Sequence, residues 1–350
     1  MTSPADPAPS PAHLPAGWSA RPPAEPDVPA LTRLLRAHER AARGRAGAHE
    51  HQVAATVTGP GAARRQQVVV EDADGVLRAW TSSHDRAAGR VLVAVTVDPD
   101  LAEEAADPVA AWCFERAARD GAWLAAARGL ERTQLDSGAF AGDSRQQRWL
   151  GRAGYRHVRN WWQMSRPVTP AEGSPPEPDA GVEVRRVRRE EAAGMPEESD
   201  LRAVHHVLEA SFTDHFNSHR EDFEEFLTRL REDPGHRWDH WWLALVDGEP
   251  AGALVASTVA GHGADDAGRA RPDGSYVDYL GVLASARGRG VARTLLGTVI
   301  ADAAARGRDR VDLEVDADSP TGAHDLYRSL GWRTGYTTQS WHCELPVGSG

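Results

Sequence analysis

The sequence predicts an α/β (α+β) protein of two tandem units, each a mixed, mostly antiparallel, twisted sheet flanked by helices. Three observations lead to this fold class. The chain has 350 residues, a proline-rich run splits it into segments of similar size, and a set of landmarks occurs twice in the same order. A chain of this length is typically long enough for two domains with separate cores.

Each half of the chain carries an Asp-Gly hairpin turn, a strand that leads into a helical segment, and a short helix closed by glycine. Asp-Gly between apolar runs is a strong hairpin signal, and glycine suits the left-handed position after a helix. The paired landmarks, roughly 173 to 185 residues apart, are Asp74-Gly75 and Asp247-Gly248, strands 91–99 and 276–284, and Gly154 and Gly331. We interpret this order as the duplication of one α/β unit.

Two proline-rich segments without apolar periodicity set the predicted domain boundaries. The start of the chain is rich in Pro, Ala and Ser and lacks the apolar region of a signal peptide, so we predict a disordered tail over 1–15. The run VTPAEGSPPEPDAG predicts a linker over 169–180. The two units are therefore expected at 16–168 and 181–346.

The second unit gives the clearer pattern of elements. Apolar residues at steps of three and four predict helices over 200–212 and 221–232, and a longer helix over 290–306 that ends before Gly307. A hydroxyl N-cap at Ser319 followed by proline predicts a last helix that ends before Gly331. Strands are expected near 242–247, 251–256, 276–282 and 311–315.

Composition excludes several kinds of chemistry. All 40 basic residues are arginine, so a Schiff-base lysine, a P-loop lysine and a lysine-bound pyridoxal phosphate are impossible. The net charge of -11 argues against a general nucleic-acid-binding protein. Two distant cysteines argue against a disulfide framework, and no apolar run reaches membrane-spanning length. We expect a cytoplasmic protein without nucleic-acid or membrane partners.

The segment ARGRGVARTLL places a glycine-rich basic loop between a predicted strand and a predicted helix. Backbone N–H groups at a helix N-terminus bind anions, and glycine lets the backbone approach phosphate oxygens closely. The loop lacks the GxGxxG pattern, and without lysine it is not a Walker A motif. In an acidic chain, this loop predicts a site for a small phosphorylated ligand rather than for nucleic acid.

The loop and the segment after the next strand together resemble the GNAT family of acyl-CoA N-acyltransferases. The family motif Arg/Gln-x-x-Gly-x-Gly/Ala is matched by Arg287, Gly290 and Ala292. Downstream, the family pattern of Asn or Ser, Ala-x-x-x-Tyr and Gly-aromatic is matched by Ser319, Ala323, Tyr327 and Gly331-Trp332. The resemblance covers about residues 181–346.

This resemblance implies acetyl-CoA as co-substrate and assigns residues to its binding. The backbone of Leu280, Gly281 and Val282 is expected to pair with pantetheine amides, with Gly281 in the strand bulge typical of the family. The phosphates are expected on the loop, and Ser319 either contacts the coenzyme or caps the helix. The loop residues are Arg287, Gly288, Arg289, Gly290, Val291, Ala292 and Arg293.

Acyl transfer from a thioester to an amine needs a base for the amine and a proton for the departing thiolate. Tyrosine, with an ordinary pKa near 10, can protonate a thiolate placed beside it, which makes Tyr327 the candidate acid. The alternative is that Tyr327 only packs beside Leu326 and Leu330. Asp278 and Glu314, on adjacent strands, are the candidate bases, with a water relay as the third possibility.

His215 and His219 are spaced as a metal-binding pair on a helix, but the HExxH glutamate and a third ligand are missing. We therefore expect no metal, and interpret these histidines as solvated or as part of a substrate-facing surface.

The first unit lacks the features of the coenzyme loop. The segment after Val97 is DPDLAEEAADPVAAW, which is acidic and would repel a pyrophosphate, and Leu150 stands where the second unit has Tyr327. We interpret the first unit as a degenerate copy, retained for packing or for shaping the acceptor cleft.

The leading functional hypothesis is transfer of an acetyl (acyl) group from acetyl-CoA to a primary amine by direct attack in a ternary complex. The acceptor would be a small molecule or a peptide, and the protein a monomer or homodimer. A layout similar to that of mycothiol synthase gives a narrower alternative, acetylation of a cysteinyl amine. An acyl-CoA-binding sensor or scaffold without catalytic activity is the alternative from another class.

Overall fold

The structure is a computed structural model of the chain, and it describes residues 12–86, 89–189, 194–212, 222–231, 235–261, 271–319 and 322–347. The chain forms two compact units, one of residues 1–158 with 339–350 and one of residues 159–338. Residues 159–168 thus belong to the second unit and 339–346 to the first, an assignment that differs from the boundaries expected from the sequence.

The first unit carries four helices and six strand segments in its described part. The helices are α1 (Val28–Arg43), α2 (Glu50–Thr58), α3 (Glu103–Ala127) and α4 (Ser144–Arg152). The strands are β1 (Ser19–Arg21), β2 (Arg65–Glu71), β3 (Leu77–Arg86), β4 (Arg90–Val97), β5 (Arg132–Phe140) and the second part of β12 (Arg333–Pro346).

The second unit has the same arrangement of elements in its described part. The helices are α5 (Glu198–Phe212), α6 (Phe223–Arg231), α7 (Val291–Ala305) and α8 (Ala323–Ser329). The strands are β6 (Arg156–Pro167), most of which lies in this unit, β7 (Val182–Arg186), β8 (His236–Val246), β9 (Glu249–Val259), β10 (Gly274–Val282), β11 (Arg310–Asp316) and the first part of β12.

Among the described residues, each unit has one parallel strand pair in an otherwise antiparallel set of pairings. In the first unit, β1 to β4 pair antiparallel in chain order and β4 pairs parallel with β5. In the second unit, β7 to β10 pair antiparallel in chain order, β10 pairs parallel with β11, and β11 pairs antiparallel with β6. The predicted mixed, mostly antiparallel sheet flanked by helices is therefore confirmed.

The second unit buries apolar side chains on both faces of its sheet. On one face, α7 packs its buried stripe of Val291, Leu295, Leu296, Val299 and Ile300 against strand residues such as Leu254 and Leu313. On the other face, α5 and α6 cover Leu243 and Val255. Helix α7 starts and ends within one residue of the predicted bounds, and the predicted stripe is buried.

The predicted turns form at Asp247-Gly248 and at the glycines that follow α4 and α8. Asp247 adopts φ 53° and Gly248 φ 90°, as a tight hairpin turn between β8 and β9 requires. Gly154 and Gly331 have φ 84° and 96°, the left-handed conformation expected after α4 and α8.

The proline-rich segment expected to be a linker packs on α7. It contains a short 3₁₀ turn over 170–172. A Cβ atom at Gly297 of α7 would lie 2.4 Å from Cγ of Pro176, and a Cβ atom at Gly290 would lie 1.9 Å from Oδ2 of Asp179. The absence of side chains on these two glycines therefore lets the segment lie directly on the helix.

Candidate active site

A cleft of about 780 Å³ in the second unit brings together almost all the residues predicted for the site. It is lined by parts of β10, β11, α8 and the loop before α7. Thirteen of the predicted site residues line it: Asp278, Leu280, Gly281, Val282, Arg287, Gly288, Gly290, Val291, Ala292, Arg293, Glu314, Ser319 and Tyr327.

Arg289 is the predicted site residue that the structure places elsewhere. Its guanidinium pairs with the Asp247 carboxylate at 2.7 Å, in the turn between β8 and β9. This ion pair raises the pKa of Arg289 and lowers that of Asp247. The Arg289 side chain thus ties the loop to the hairpin instead of lining the cleft.

The cleft opens where the parallel pair β10–β11 comes apart. The two strands pair at Ser275↔Val311, Tyr276↔Asp312 and Val277↔Leu313, and the pairing ends there. Beyond this point β10 continues to pair with β9 on its other side, from Tyr279 to Val282. The edge of β10 that faces β11 therefore borders the cleft with backbone groups that the sheet leaves available to a ligand.

A β-bulge at Asp278 marks the start of this separation. Val277 pairs with Ala256 and Tyr279 with the adjacent Val255, so that Asp278 is the extra residue. The sequence placed the bulge at Gly281, which instead pairs regularly with Ala253. Gly281 has a different role: a Cβ atom there would lie 3.0 Å from side-chain atoms of Leu208 and Ser211, so glycine permits the close approach of α5.

The loop before α7 has the conformation of an anion-binding helix start. Gly288 and Gly290 adopt φ 80° and 75°, and Gly290 is the N-cap of α7. The first residues of the helix, Val291, Ala292 and Arg293, line the cleft. The first N–H groups of a helix have no partner within the helix, and the positive end of its dipole lies there, so this end of the cleft, with the arginines 287 and 293, favours an anion.

Tyr327 lies on α8, and its side chain lines the cleft while its ring packs edge-on against Trp332, with 6.1 Å between ring centroids. Burial raises the pKa of the Tyr327 hydroxyl to about 12. A hydroxyl with this pKa remains protonated throughout the neutral range, as a proton donor must. Both interpretations of Tyr327, packing and acid, are compatible with this position.

The two candidate bases follow the last paired residues of the diverging strands. Asp278 comes after Val277 on β10, and Glu314 comes after Leu313 on β11. The hydroxyl of Ser257 donates to Asp278 at 3.3 Å. Both carboxylates therefore flank the point at which the cleft begins.

Glu314 lies in an environment that raises the pKa of its carboxyl. Although its side chain reaches solvent, the surrounding protein desolvates the carboxylate and raises its pKa. Hydrogen bonds donated by Gln163 of β6 and Thr338 of β12 oppose this increase. Desolvation outweighs these hydrogen bonds, so the Glu314 carboxyl binds its proton more tightly than an ordinary glutamate does.

The sequence reasoning missed Tyr276, which lines the cleft two residues before Asp278. Burial and the nearby carboxylates of Glu314 and Asp278 raise the pKa of its hydroxyl. Period-two alternation along β10 was a signal that could have found it, since residues 276 and 278 are expected on one face of a strand. Trp161, Ser211 and Phe212 also line the cleft and were not predicted.

Ser319 lines the cleft but does not cap α8. The helix begins at Ala323, and its N-cap is Gly322 with φ 66°. The Ser319 backbone N–H donates to the Asp316 carbonyl oxygen at 3.3 Å, so Ser319 closes a turn after β11 instead. The predicted capping role is therefore wrong, whereas a position facing the cleft is compatible with a ligand contact.

His215 and His219 lie outside the described residues. Within the described ranges, no group of three or more His, Cys, Asp or Glu side chains could hold a metal ion. No helix in the described part of the chain is long and apolar enough to cross a membrane.

The first unit repeats the diverging strand pair but fills the gap with its own side chains. Pairing of β4 with β5 ends at Leu92↔Asp136. Just beyond, the Ser137 hydroxyl donates to the Val93 carbonyl oxygen at 2.8 Å, and the Gln146 amide of α4 donates to the Val95 carbonyl oxygen at 3.2 Å. Leu150, at the position of Tyr327, is fully buried in the core. Internal groups thus occupy the backbone oxygens that a ligand would need.

Solved structures share this fold over nearly the whole chain. A GCN5-related N-acetyltransferase from Sphaerobacter thermophilus is 25% identical, with a TM-score of 0.72, and the match covers 96% of this chain and 98% of that one. A tandem GNAT protein from the clavulanic acid biosynthesis pathway is 16% identical, with a TM-score of 0.64 and coverage of 95% and 99%. N-myristoyltransferase from Saccharomyces cerevisiae with bound myristoyl-CoA is 12% identical, with a TM-score of 0.62 and coverage of 96% and 80%.

At the sequence level, no curated protein matches the chain significantly. Residues 201–332 match the acetyltransferase (GNAT) family model. This range contains the diverging pair β10–β11, the glycine loop, α7 and α8. The match to the acetyltransferase (GNAT) family model therefore lies entirely within the second unit.

Proposed function

We propose that the second unit transfers an acetyl (acyl) group from acetyl-CoA to a primary amine by direct attack while both substrates are bound. The observation that carries this proposal is the continuity of one cleft. It joins the gap between β10 and β11 to the helix start at Gly290 and to the side chains of Tyr327 and Glu314. The match of residues 201–332 to the acetyltransferase (GNAT) family model supports acyl transfer from acyl-CoA to an amine.

The phosphate end of the co-substrate fits the loop of residues 287–293. Pyrophosphate oxygens would accept hydrogen bonds from the backbone at the start of α7, and the guanidinium groups of Arg287 and Arg293 would balance their charge. Pantetheine amides would pair with the free edge of β10 over residues 280–282. In the first unit, Ser137 and Gln146 form hydrogen bonds with the equivalent edge of β4. We therefore expect one co-substrate per chain.

Acetyl-CoA supplies an activated acyl group, and the protein moves two protons. A carboxylate at the start of the cleft, Glu314 or Asp278, accepts the proton that the amine loses as its nitrogen bonds to the acyl carbon. The Tyr327 hydroxyl donates a proton to the sulfur as the C–S bond breaks. Desolvation raises the pKa of the Glu314 carboxyl, and the higher proton affinity favours it as a base.

A thiol-release assay with a panel of amines, combined with mass spectrometry of the product, tests this proposal. We expect release of free coenzyme that depends on the amine, together with a product heavier by one acetyl group. The matched control is Tyr327→Phe, which preserves ring packing against Trp332. Binding of acetyl-CoA without turnover of any amine would instead indicate an acyl-CoA sensor, and absence of binding would refute the proposal.

A further inference from the structure

The cleft has opposite charges at its two ends. The loop before α7 contributes Arg287, Arg293 and the helix start, whereas the point where β10 and β11 separate contributes Asp278 and Glu314. Asp316 also lines the cleft, but Arg159 lies 3.6 Å from its carboxylate and offsets its charge. If phosphates occupy the basic end, the acidic end is left for the acceptor.

Aromatic residues line the same cleft as these carboxylates. Tyr276, Trp161 and Phe212 contribute to its walls, and the Tyr276 hydroxyl lies within the electrostatic influence of both Glu314 and Asp278. Aromatic faces attract cations, especially where water is excluded. Carboxylates and aromatic residues along one cleft together select for positive charge and against negative charge.

We propose that the acceptor carries a second positive charge in addition to the amine that is acylated, as an alkyl diamine or polyamine does. This inference rests on the proposed acyl transfer. The reaction needs one carboxylate as the proton acceptor, and the pair of Asp278 and Glu314 provides two. The carboxylate that does not take the proton remains to bind the second ammonium group. An acceptor with a carboxylate near its amine would instead be repelled.

Three series of amines with matched chain lengths test this substrate class. The first contains propane-, butane-, pentane- and hexanediamine, the second the corresponding alkyl monoamines, and the third the corresponding ω-amino acids. We expect kcat/KM of the best diamine to exceed that of the monoamine of equal length by about tenfold or more, the effect of one charge-assisted contact. The amino acids should be the poorest substrates, and added salt should reduce the preference.

Calorimetric titrations of the coenzyme-bound protein with butanediamine and butylamine test whether the preference for diamines arises in the cleft. Asp278→Asn and Glu314→Gln should each weaken diamine binding more than monoamine binding. Glu249→Gln removes an exposed carboxylate at the start of β9 and should leave the ratio unchanged, which controls for net charge.

The outcomes separate this inference from the function on which it rests. If kcat/KM for butylamine or an ω-amino acid equals or exceeds that for every diamine, the enzyme is an acyltransferase and the inference about its acceptor is wrong. If acetyl-CoA binds but no amine reacts, equal affinities for butanediamine and butylamine would also overturn it. If acetyl-CoA does not bind at all, the proposed function itself fails.

Discussion

The Ser137 hydroxyl of the first unit donates a hydrogen bond to the Val93 carbonyl oxygen at 2.8 Å. These residues follow the last pair of β4 and β5, as Asp278 and Glu314 follow the last pair of β10 and β11. In both units a parallel strand pair comes apart. An internal hydrogen bond closes the resulting gap in the first unit, whereas carboxylates line it in the second. This difference underlies the proposal that the second unit holds the coenzyme.

Replacing Tyr327 by phenylalanine should preserve acetyl-CoA affinity and lower kcat by about tenfold to a thousandfold, as loss of a general acid does. Because the pKa of Tyr327 is raised to about 12, the wild-type rate should show no alkaline decline from this group below about pH 10. Steady-state kinetics against pH measures both effects. An unchanged kcat would leave Tyr327 with a packing role only.

Removing the hydrogen bond from Gln163 should move the acidic limb of the pH–rate profile if Glu314 is the base. Gln163 donates to Glu314 and lowers its pKa, in opposition to desolvation. Gln163→Ala should therefore shift the midpoint of kcat/KM to higher pH. If Asp278→Asn abolishes the limb while Gln163→Ala leaves it in place, Asp278 is the base; if neither changes it, a water relay is indicated.

Alanine at Gly290 should destabilise the protein more than alanine at Gly288. Both glycines have positive φ, which costs roughly 1–2 kcal/mol for a residue with a side chain. Only at Gly290 would the new Cβ also clash with Asp179, since nothing lies within 4 Å of a Cβ at Gly288. Urea denaturation should show this order, and adding Asp179→Ala to Gly290→Ala should recover the difference. Equal losses for both glycines would contradict the packing of the 169–180 segment on α7.

The buried His240 should make the protein less stable in mild acid. Burial and the charges of Arg308 and Arg306 lower the pKa of its imidazole from 6.5 to about 4, despite the opposing effect of Asp239. Between these values the unfolded chain binds more protons than the folded one, so stability falls as pH decreases through this window. We expect His240→Phe to reduce the pH dependence of the unfolding free energy by roughly 1–3 kcal/mol between about pH 7 and about pH 4. An identical pH dependence in the variant would show that His240 does not contribute.

The features that depend on local sequence were predictable. The 3.6-residue period of the apolar stripe from Val291 to Ile300 predicted α7. The Asp-Gly pairs and the glycines that follow α4 and α8 predicted the turns. The glycine loop and Tyr327 were placed in one cleft because the motif specifies both a helix start and the helix that follows the next strand. These signals are contained within single elements or their connections.

The features that depend on partners distant in sequence were not predictable. The bulge at Asp278 is set by the register with β9, which alternation along β10 alone cannot show. The packing of Pro176 and Asp179 on α7 depends on glycines more than a hundred residues further along. The sequence alone does not distinguish Arg289 from the other arginines of the loop, because its different position results from the ion pair with Asp247.

Calorimetric titration of the full chain with acetyl-CoA tests the central claim most directly, with Ala292→Glu and Ala292→Gln as a matched pair. Ala292 lines the cleft in the first turn of α7, where a glutamate is compatible with the helix dipole but opposes bound phosphate. We predict one equivalent bound per wild-type chain, and an affinity for Ala292→Glu at least about tenfold weaker than for Ala292→Gln. Two equivalents per chain would contradict the closure of the first unit's site, and equal affinity of the two variants would contradict the assignment of the coenzyme to the second unit's cleft.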